Sequence, residues 1–343
     1  MLRNPWKDIT FPKKHGTENE RREQSGHSLK FYFRLDFEHT KIFVFRADCE
    51  KPDNLILPQF EGFEVQIEKG NSEKECQLIM RLLDNELLEM FYNVCIDLLS
   101  ATRKLSEEQS LEAIKVIMQR LERWKRLLSS KKEDELSKQS ILGIIGELFV
   151  LRDFAMEGFD EISDAIESWV GPPDSDTSEG GDLQDFNFPY AKIEVKSQGT
   201  TRKHVVSINS EDQLQISGRI EKLFLCHQTF DTPSTSEQGA VSLNKLITSL
   251  AERIGEKDEI ALGAFMYKLA NLGYAKKEKY DSPFYLKNTR TIYEVKEDFP
   301  RIESSMFNKS GIEKVKYDLR LEDCSDFIVC EVSAKESSFN DKD

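Results

Sequence analysis

The stretch Asp185-Phe-Asn-Phe-Pro-Tyr-Ala-Lys-Ile-Glu-Val-Lys-Ser197 reads as two short strands about a turn. Phe186 and Phe188 alternate as strand residues do, Pro189 and Tyr190 break the pattern, and Ala191 to Ser197 resumes it. Strand side chains point alternately to opposite faces, so Glu194 and Lys196 share one face while Ile193 and Val195 turn to the core on the other. The turn brings the Asp185 carboxylate beside Glu194. Two neighbouring acids repel each other, and a hard divalent cation such as Mg²⁺, with its preference for oxygen ligands, relieves that repulsion. An ion held there would suit phosphodiester hydrolysis: it can hold a phosphate oxygen, lower the pKa of a bound water and stabilise developing charge. Lys196 would then position the attacking water or stabilise the transition state. By itself an E-x-K element is a weak signal, because any half-buried strand can contain one.

What strengthens it lies upstream. The run Ile141-Leu-Gly-Ile-Ile-Gly-Glu-Leu-Phe-Val-Leu151 is a helix with one charge, Glu147, surrounded by apolar residues. A buried carboxylate is costly without a cation or donor, so Glu147 is a third candidate for a metal site, with pairing to an arginine or capping of a backbone group as the alternative. The helix is expected to enter at Lys138, and a loop with Trp169 and several glycines and prolines is expected between it and the hairpin. Asp182, after two glycines, competes with Asp185 for the catalytic acid; the strand alternation after Asp185 favours the latter. The acidic loop Asp174 to Asp182 lacks the glycine and the terminal glutamate of a calcium loop.

Working further out, Ser28 to Arg81 alternates like a small antiparallel sheet, with Lys13 to Gly26 before it expected as a mobile arm. Asp84 reads as an N-cap, followed by a stripe of Leu87, Phe91, Val94 and Leu98; Ser106 with Gln109 makes a capping box before Leu111, Ile114, Met118 and Leu121. Strands are expected at Val205–Ile208, Lys222–Cys226, Phe284–Leu286, Ile292–Val295, Val315–Tyr317 and Phe327–Val332, and helices at Leu243–Ile254 and Ile260–Leu272. The fold class is therefore α/β, of the α+β kind: a mixed sheet flanked by helices, preceded by a small β-sheet plus helical domain. The expected division is residues 1–132, 133–332 and a polar tail 333–343, so that truncation before Lys138 leaves the site residues in place.

Composition narrows the function. With 343 residues, 38% hydrophobic, the chain can bury at least one full core. No stretch approaches the roughly 20 apolar residues of a membrane-spanning helix, and Met1 to Asp8 lacks a signal-peptide core, so a cytoplasmic protein is expected. The six cysteines form no C-x-x-C pair, which leaves zinc-ribbon and dithiol readings without support and points to reduced thiols. Walker, dinucleotide and H-E-x-x-H motifs are absent as well. A formal charge of −14 argues against tight autonomous DNA binding. Local basic segments remain: Lys115, Arg120, Arg123, Lys125, Arg126, Lys131 and Lys132 crowd one helical region, as a solvated face or a phosphate patch, and Arg202, Lys203 and His204 follow the acid-lysine strand. Gln213, beside the core strands, is expected either to orient a site residue or DNA or to fill a structural role.

The segments G-I-I-G-E-L-F-V-L at 143–151, W-V-G-P at 169–172, D-F at 185–186, E-V-K-S at 194–197 and Gln213-Leu214 resemble a PD-(D/E)XK nuclease family found in bacterial restriction and phage-defence neighbourhoods. The likeness continues through Asn271-Leu-Gly-Tyr274, Phe299-Pro-Arg-Ile302 and Val315-Lys-Tyr317, and so covers most of the chain. It implies a restriction-endonuclease-like sheet, with Asp185, Glu194 and Lys196 as the catalytic set. Asp185, Glu194, Glu147 and Val195 would hold Mg²⁺, with Mn²⁺ as a substitute. It also implies DNA as substrate, a homodimer to cut both strands, and defence-system partners such as a methyltransferase or an ATP-driven translocase. Gln184 stands where the motif has proline, a departure expected to touch substrate contact more than metal binding.

Overall fold

The computed structural model describes residues 4–53, 55–70, 72, 74–130, 135–171, 184–202, 204–216, 222–234, 237–303, 306 and 315–333. Lys131, Lys132, the boundary expected at 132/133, the acidic loop with Asp182, Lys203 and the tail after Ser333 lie outside the described residues. The chain divides into two compact units: Met1–Asp134 with Ala251–Ala275, and Glu135–Leu250 with Lys276–Asp343.

The first unit contains a wholly antiparallel sheet of β1 (Glu18–Arg22), β2 (Lys30–Asp36), β3 (Lys41–Ala47), β4 (Phe63–Lys69) and β5 (Cys76–Leu82), in the order β1-β2-β3-β5-β4. Period-two alternation sends Phe31, Phe33, Phe43, Phe45 and Phe63 to one face, where they are buried with Trp6 and Phe91. Ile42, Val44 and Ile79 cluster separately, with Tyr32 packed on them. The expected mobile arm is corrected here, because Glu18–Arg22 is an edge strand paired residue by residue with β2. Its polar composition hid it. The strand is held by the backbone ladder and by charge, with Arg34 reaching Glu18 at 2.7 Å and Glu20 at 3.0 Å, and charged residues are what protects an edge strand from further pairing.

Three helices complete this unit: α1 (Leu88–Thr102), α2 (Ser110–Ser130) and α7 (Glu259–Asn271). The capping box at Ser106 and Gln109 is present. A contiguous division misses α7. Its residues Ile260, Ala261, Leu262, Gly263, Phe265 and Leu269 are all buried, and Gly263 lies so close to α1 that a Cβ there would stand 2.3 Å from the Ile96 carbonyl oxygen. Arg120, counted above in the basic helical region, turns inward: its Nε and Nη2 each reach the fully buried Asp97 at 2.8 Å, and Trp124 Nε1 donates to the same carboxylate at 2.7 Å. Lys115 and Lys125 pair with Glu112 and Glu122 on their own helix.

The second unit is built on a mixed sheet with the order β12-β10-β9-β7-β6. Before it come α3 (Lys138–Val150), a π-helical turn at Leu151–Ala155, α4 (Met156–Gly158) and α5 (Ile162–Ser168). The strands are β6 (Phe186–Phe188), β7 (Ala191–Gly199), β9 (Lys222–Asp231), β10 (Leu286–Glu294) and β12 (Ile328–Ser333). β7 runs parallel to β9, and the other neighbours are antiparallel. β8 (Val205–Ile208) and β11 (Tyr317–Arg320) form a separate pair over a core of Ile208, Leu214, Leu225, Tyr293 and Phe299. Helix α6 (Leu243–Lys257) carries the division between the units within it. A mixed sheet flanked by helices, beside a small sheet with its own helices, is the expected fold class. Two details differ. β9 runs beyond Cys226 through buried His227, Gln228 and Thr229, and the two strands expected at 284–286 and 292–295 are one, because Lys287 to Arg290 continue the ladder with β9. No helix among the described residues is long and apolar enough to cross a membrane.

A candidate active site around strand β7

β7 sits between β6 and β9, and the register Phe186↔Ile193, Asn187↔Lys192, Phe188↔Ala191 leaves Pro189 and Tyr190 as the turn. Asp185 stands just before this ladder, and its Oδ2 accepts the Val195 N–H at 2.6 Å. Its carbonyl accepts the Val170 N–H at 2.9 Å, while Trp169 bridges to Phe186, so the segment after α5 fixes where β6 begins. The Trp169 ring is fully buried and its Nε1 donates to Glu147 Oε2 at 2.8 Å. A buried indole N–H needs an acceptor, and here it supplies the donor that a carboxylate on an apolar helix lacks. Among the described residues neither an arginine nor a backbone cap holds Glu147.

Glu194 is only 1% exposed, whereas Ile193, expected in the core, is partly exposed. Lys196 Nζ contacts Glu194 Oε1 at 2.7 Å and donates to Gln213 Oε1 at 3.1 Å. The same Gln213 oxygen accepts the Asn209 N–H at 2.8 Å, which fixes its orientation. Gln213 thus holds the Lys196 ammonium in place. Gln184, at the position where the motif has proline, donates to the carbonyls of Asp212 and Gln213 at 2.9 and 3.2 Å, so this departure anchors the segment that holds Lys196. Trp169 carried no role in the sequence, where its signal was an isolated tryptophan ahead of a turn; Gln184 was marked only by its departure from the motif, with an effect on substrate contact expected rather than this backbone anchor.

Burial and mutual repulsion dominate the electrostatics. Burial, then the charge of Asp185, pushes the Glu194 carboxyl up to about 8 against the pull of Lys196. Burial raises Asp185 to about 6, opposed by the Val195 N–H and Lys196. Glu147 is held well above its ordinary range by burial and by Asp185, with Glu194 adding to it. Burial alone would depress Lys196, but Glu194, Asp185 and Glu147 outweigh it and hold its pKa above the usual lysine value. Tyr317 of β11 feels both Lys196 and Glu194, although burial chiefly raises its hydroxyl. His227, beside Lys196 in the β7–β9 register, is 1% exposed with no partner for Nε2 among the described residues. Burial and the neighbouring His204 lower it to about 4.

Asp185, Glu194, Lys196 and Glu147 therefore act on one another electrostatically, with Val195 between the acids. Each acid gives one oxygen to a protein donor: Asp185 to the Val195 N–H, Glu147 to Trp169, Glu194 to Lys196. The other oxygen of Glu194 is buried and accepts nothing among the described residues. Among the described residues no group of three or more His, Cys, Asp or Glu is arranged so that it could hold a metal ion as it stands. The donor set nonetheless fits a hard cation: it is all oxygen, over-negative, and includes that orphaned buried atom. The expected nucleic-acid contacts are more scattered. Arg202 is exposed and donates to Gln139 at 3.3 Å, and His204 stands with its ring 6.0 Å from that of His227.

Comparison with known proteins gives the chain a family. A family model described as "Putative PD-(D/E)XK family member, (DUF4420)" matches residues 2–322. The chain belongs to this family. The match spans both units. No curated protein and no solved structure matches the chain.

Proposed function

We propose that the chain is a divalent-metal-dependent DNA endonuclease, with Mg²⁺ as the working ion and Mn²⁺ as a substitute. The observation that carries this reading is the buried, unpartnered oxygen of Glu194 in a cluster of three acids and one lysine, with Glu194 and Lys196 on β7, Asp185 just before β6 and Glu147 on α3, in a PD-(D/E)XK family member. Asp185, Glu194 and Glu147, with Val195 beside them, would hold the ion. Once bound, it supplies positive charge at the phosphate and eases deprotonation of the attacking water. Within the chain, the Val195 N–H fixes Asp185 and Trp169 fixes Glu147. Lys196, steadied by Gln213, presents an ammonium to a phosphate oxygen and stabilises charge as it develops. On this reading the protein works in the cytoplasm as one component of a bacterial restriction or phage-defence system, beside proteins such as a methyltransferase or an ATP-driven translocase. A homodimer would present one such site to each strand.

The test is cleavage of linear and supercoiled DNA in Mg²⁺ or Mn²⁺ by wild type, Glu194→Ala and Lys196→Met. The expected outcome is cutting by wild type and loss by at least a hundredfold in both variants, with DNA binding kept. Equal products from all three proteins would refute it. A second reading, a non-catalytic DNA-binding or scaffolding subunit, is favoured by the net charge of −14 and by the inward or paired cations of α2. It requires that no metal restore cleavage while charge reversal at Lys125 weakens DNA or partner binding.

A further inference from the structure

The π-helical turn that ends α3 carries Arg152, Asp153 and Phe154 into a group of charges that the catalytic reading does not use. Asp153 receives three cations: Arg152 Nε at 2.6 Å, Arg290 Nη2 at 2.8 Å and Lys287 Nζ at 3.2 Å. Arg290 is 6% exposed and fixed by Gln228, whereas Arg152 and Lys287 are 35% and 28% exposed and reachable from solvent. Arg152 uses only Nε, so its two terminal nitrogens meet no acceptor among the described residues, and neither does Nη1 of Arg290. Aromatic rings form the floor: the Arg152 guanidinium lies 4.3 Å over Phe149, with Lys287 Nζ at 5.5 Å from the same ring, and Arg290 lies 4.8 Å over Phe154.

Three positive charges on one carboxylate leave an excess of two in a chain that is strongly acidic overall. We propose that Arg152, Lys287 and Arg290 form a binding site for a phosphate group, filled by a backbone phosphate of the nucleic-acid strand away from the bond being cut. The identity of the strand rests on the nuclease reading; the anion site does not. Guanidinium forks with free donors match phosphate oxygens. Lys287 points the same way, since burial and then the charge of Arg290 lower its pKa in spite of Asp153, a tension that a second anion would relieve. A π-turn inside a helix often marks a functional position.

The cluster also reaches the helix that carries Glu147. Gln228, which accepts from Arg290, donates to the Gly146 carbonyl at 2.9 Å, and Gly146 directly precedes Glu147. The buried Cys226 thiol, opposite Val195 in the β7–β9 ladder, feels Arg290 and Lys287 on one hand and Asp185 on the other. One unit thus holds an acidic metal-seeking site and a basic anion-seeking one, linked by a hydrogen-bonded path.

The test titrates inorganic phosphate into the full-length protein at constant ionic strength, followed by calorimetry, for wild type, Arg152→Gln, Lys287→Gln, Lys287→Arg and Glu194→Gln. Saturable binding is expected in wild type, Lys287→Arg and Glu194→Gln, weakened at least tenfold in Arg152→Gln and Lys287→Gln. Thermal unfolding confirms that each variant is folded, and Arg152→Gln decides if Lys287→Gln is not. No saturable phosphate binding by wild type, or equal binding by both charge-removing variants, overturns the site. A duplex oligonucleotide is then titrated in EDTA over a range of salt. Each charge-removing variant should flatten the slope of log K against log salt by about 0.9. Phosphate binding that depends on Arg152 with an unchanged oligonucleotide slope overturns the assignment to the nucleic-acid strand, whatever the cleavage assay gives.

Discussion

Glu194→Gln in the metal-free protein tests the electrostatics of the site without any assay of function. The carboxyl rises from an ordinary 4.5 to about 8 in the folded chain, and burial is the first cause. A raised acid pKa means that the folded state binds more protons than the unfolded one between those two values. Stability is therefore fully present below pH 4.5, falls as pH rises through 8, and levels off above it. At about 1.4 kcal/mol for each pH unit of difference, the ceiling is about 5 kcal/mol. Removing the charge also leaves Lys196 without its carboxylate, although Gln213 still accepts from it. That loss takes back part of the gain, so a net stabilisation of about 2 kcal/mol at pH 9 is expected. For a chain of 343 residues it corresponds to roughly 3 °C in Tm. Thermal unfolding in EDTA from pH 5 to 9 measures it: wild type should lose stability steeply across the window, the variant less so, and the curves should cross or diverge rather than run parallel. Adding Mg²⁺ at pH 8 should raise wild type and leave the variant nearly unchanged. Parallel pH curves for the two proteins would refute the reasoning.

Arg120→Leu strips the fully buried Asp97 of both guanidinium bonds and should cost about 3–5 kcal/mol in urea unfolding, with no change in DNA affinity, since the side chain faces inward. Gly146→Ala would put a Cβ 1.8 Å from Ser197 Oγ and should destabilise by about 1–3 kcal/mol; adding Ser197→Ala should recover part of this, read as coupling in a double-mutant cycle. Trp169→Phe removes the Glu147 donor while keeping most of the ring, and should weaken Mn²⁺ binding about tenfold to a hundredfold by calorimetry with the fold intact.

The central hairpin was legible because its chemistry and its period agree: Phe186 and Phe188 alternate, Pro189 and Tyr190 break, and Glu194 and Lys196 fall two apart. Glu147 stood out for the opposite reason, a charge where the helical pattern allows none. Elements whose polar residues are buried were harder to read. β10 looked like two strands because Lys287 to Arg290 are charged or polar, yet Arg290 is held by Gln228 and Asp153 inside the unit. β1 looked like a mobile arm because ion pairs, not apolar contacts, fix it to β2. The basic region of α2 could not be parsed by composition, since partners at Asp97, Glu112 and Glu122 decide which cations face outward. Trp169 and Gln184 act through contacts with Glu147 and with the Asp212–Gln213 backbone, and such pairings across the sequence carry no local signature.

The contact of Gly263 with Ile96 sets the order in which the molecule can be made. The face of α1 that receives α7 is synthesised early, but its partner emerges only after the whole of Glu135–Leu250, which belongs to the other unit. The first unit therefore waits, with an apolar helix uncovered, while most of the second is being translated, and closing so distant a contact is slow and exposed to aggregation. The interleaving works in both directions. Neither unit is one uninterrupted piece of chain, so a fragment ending at 134 lacks the helix that covers α1, and a fragment beginning at 135 carries that helix with nothing to bury it.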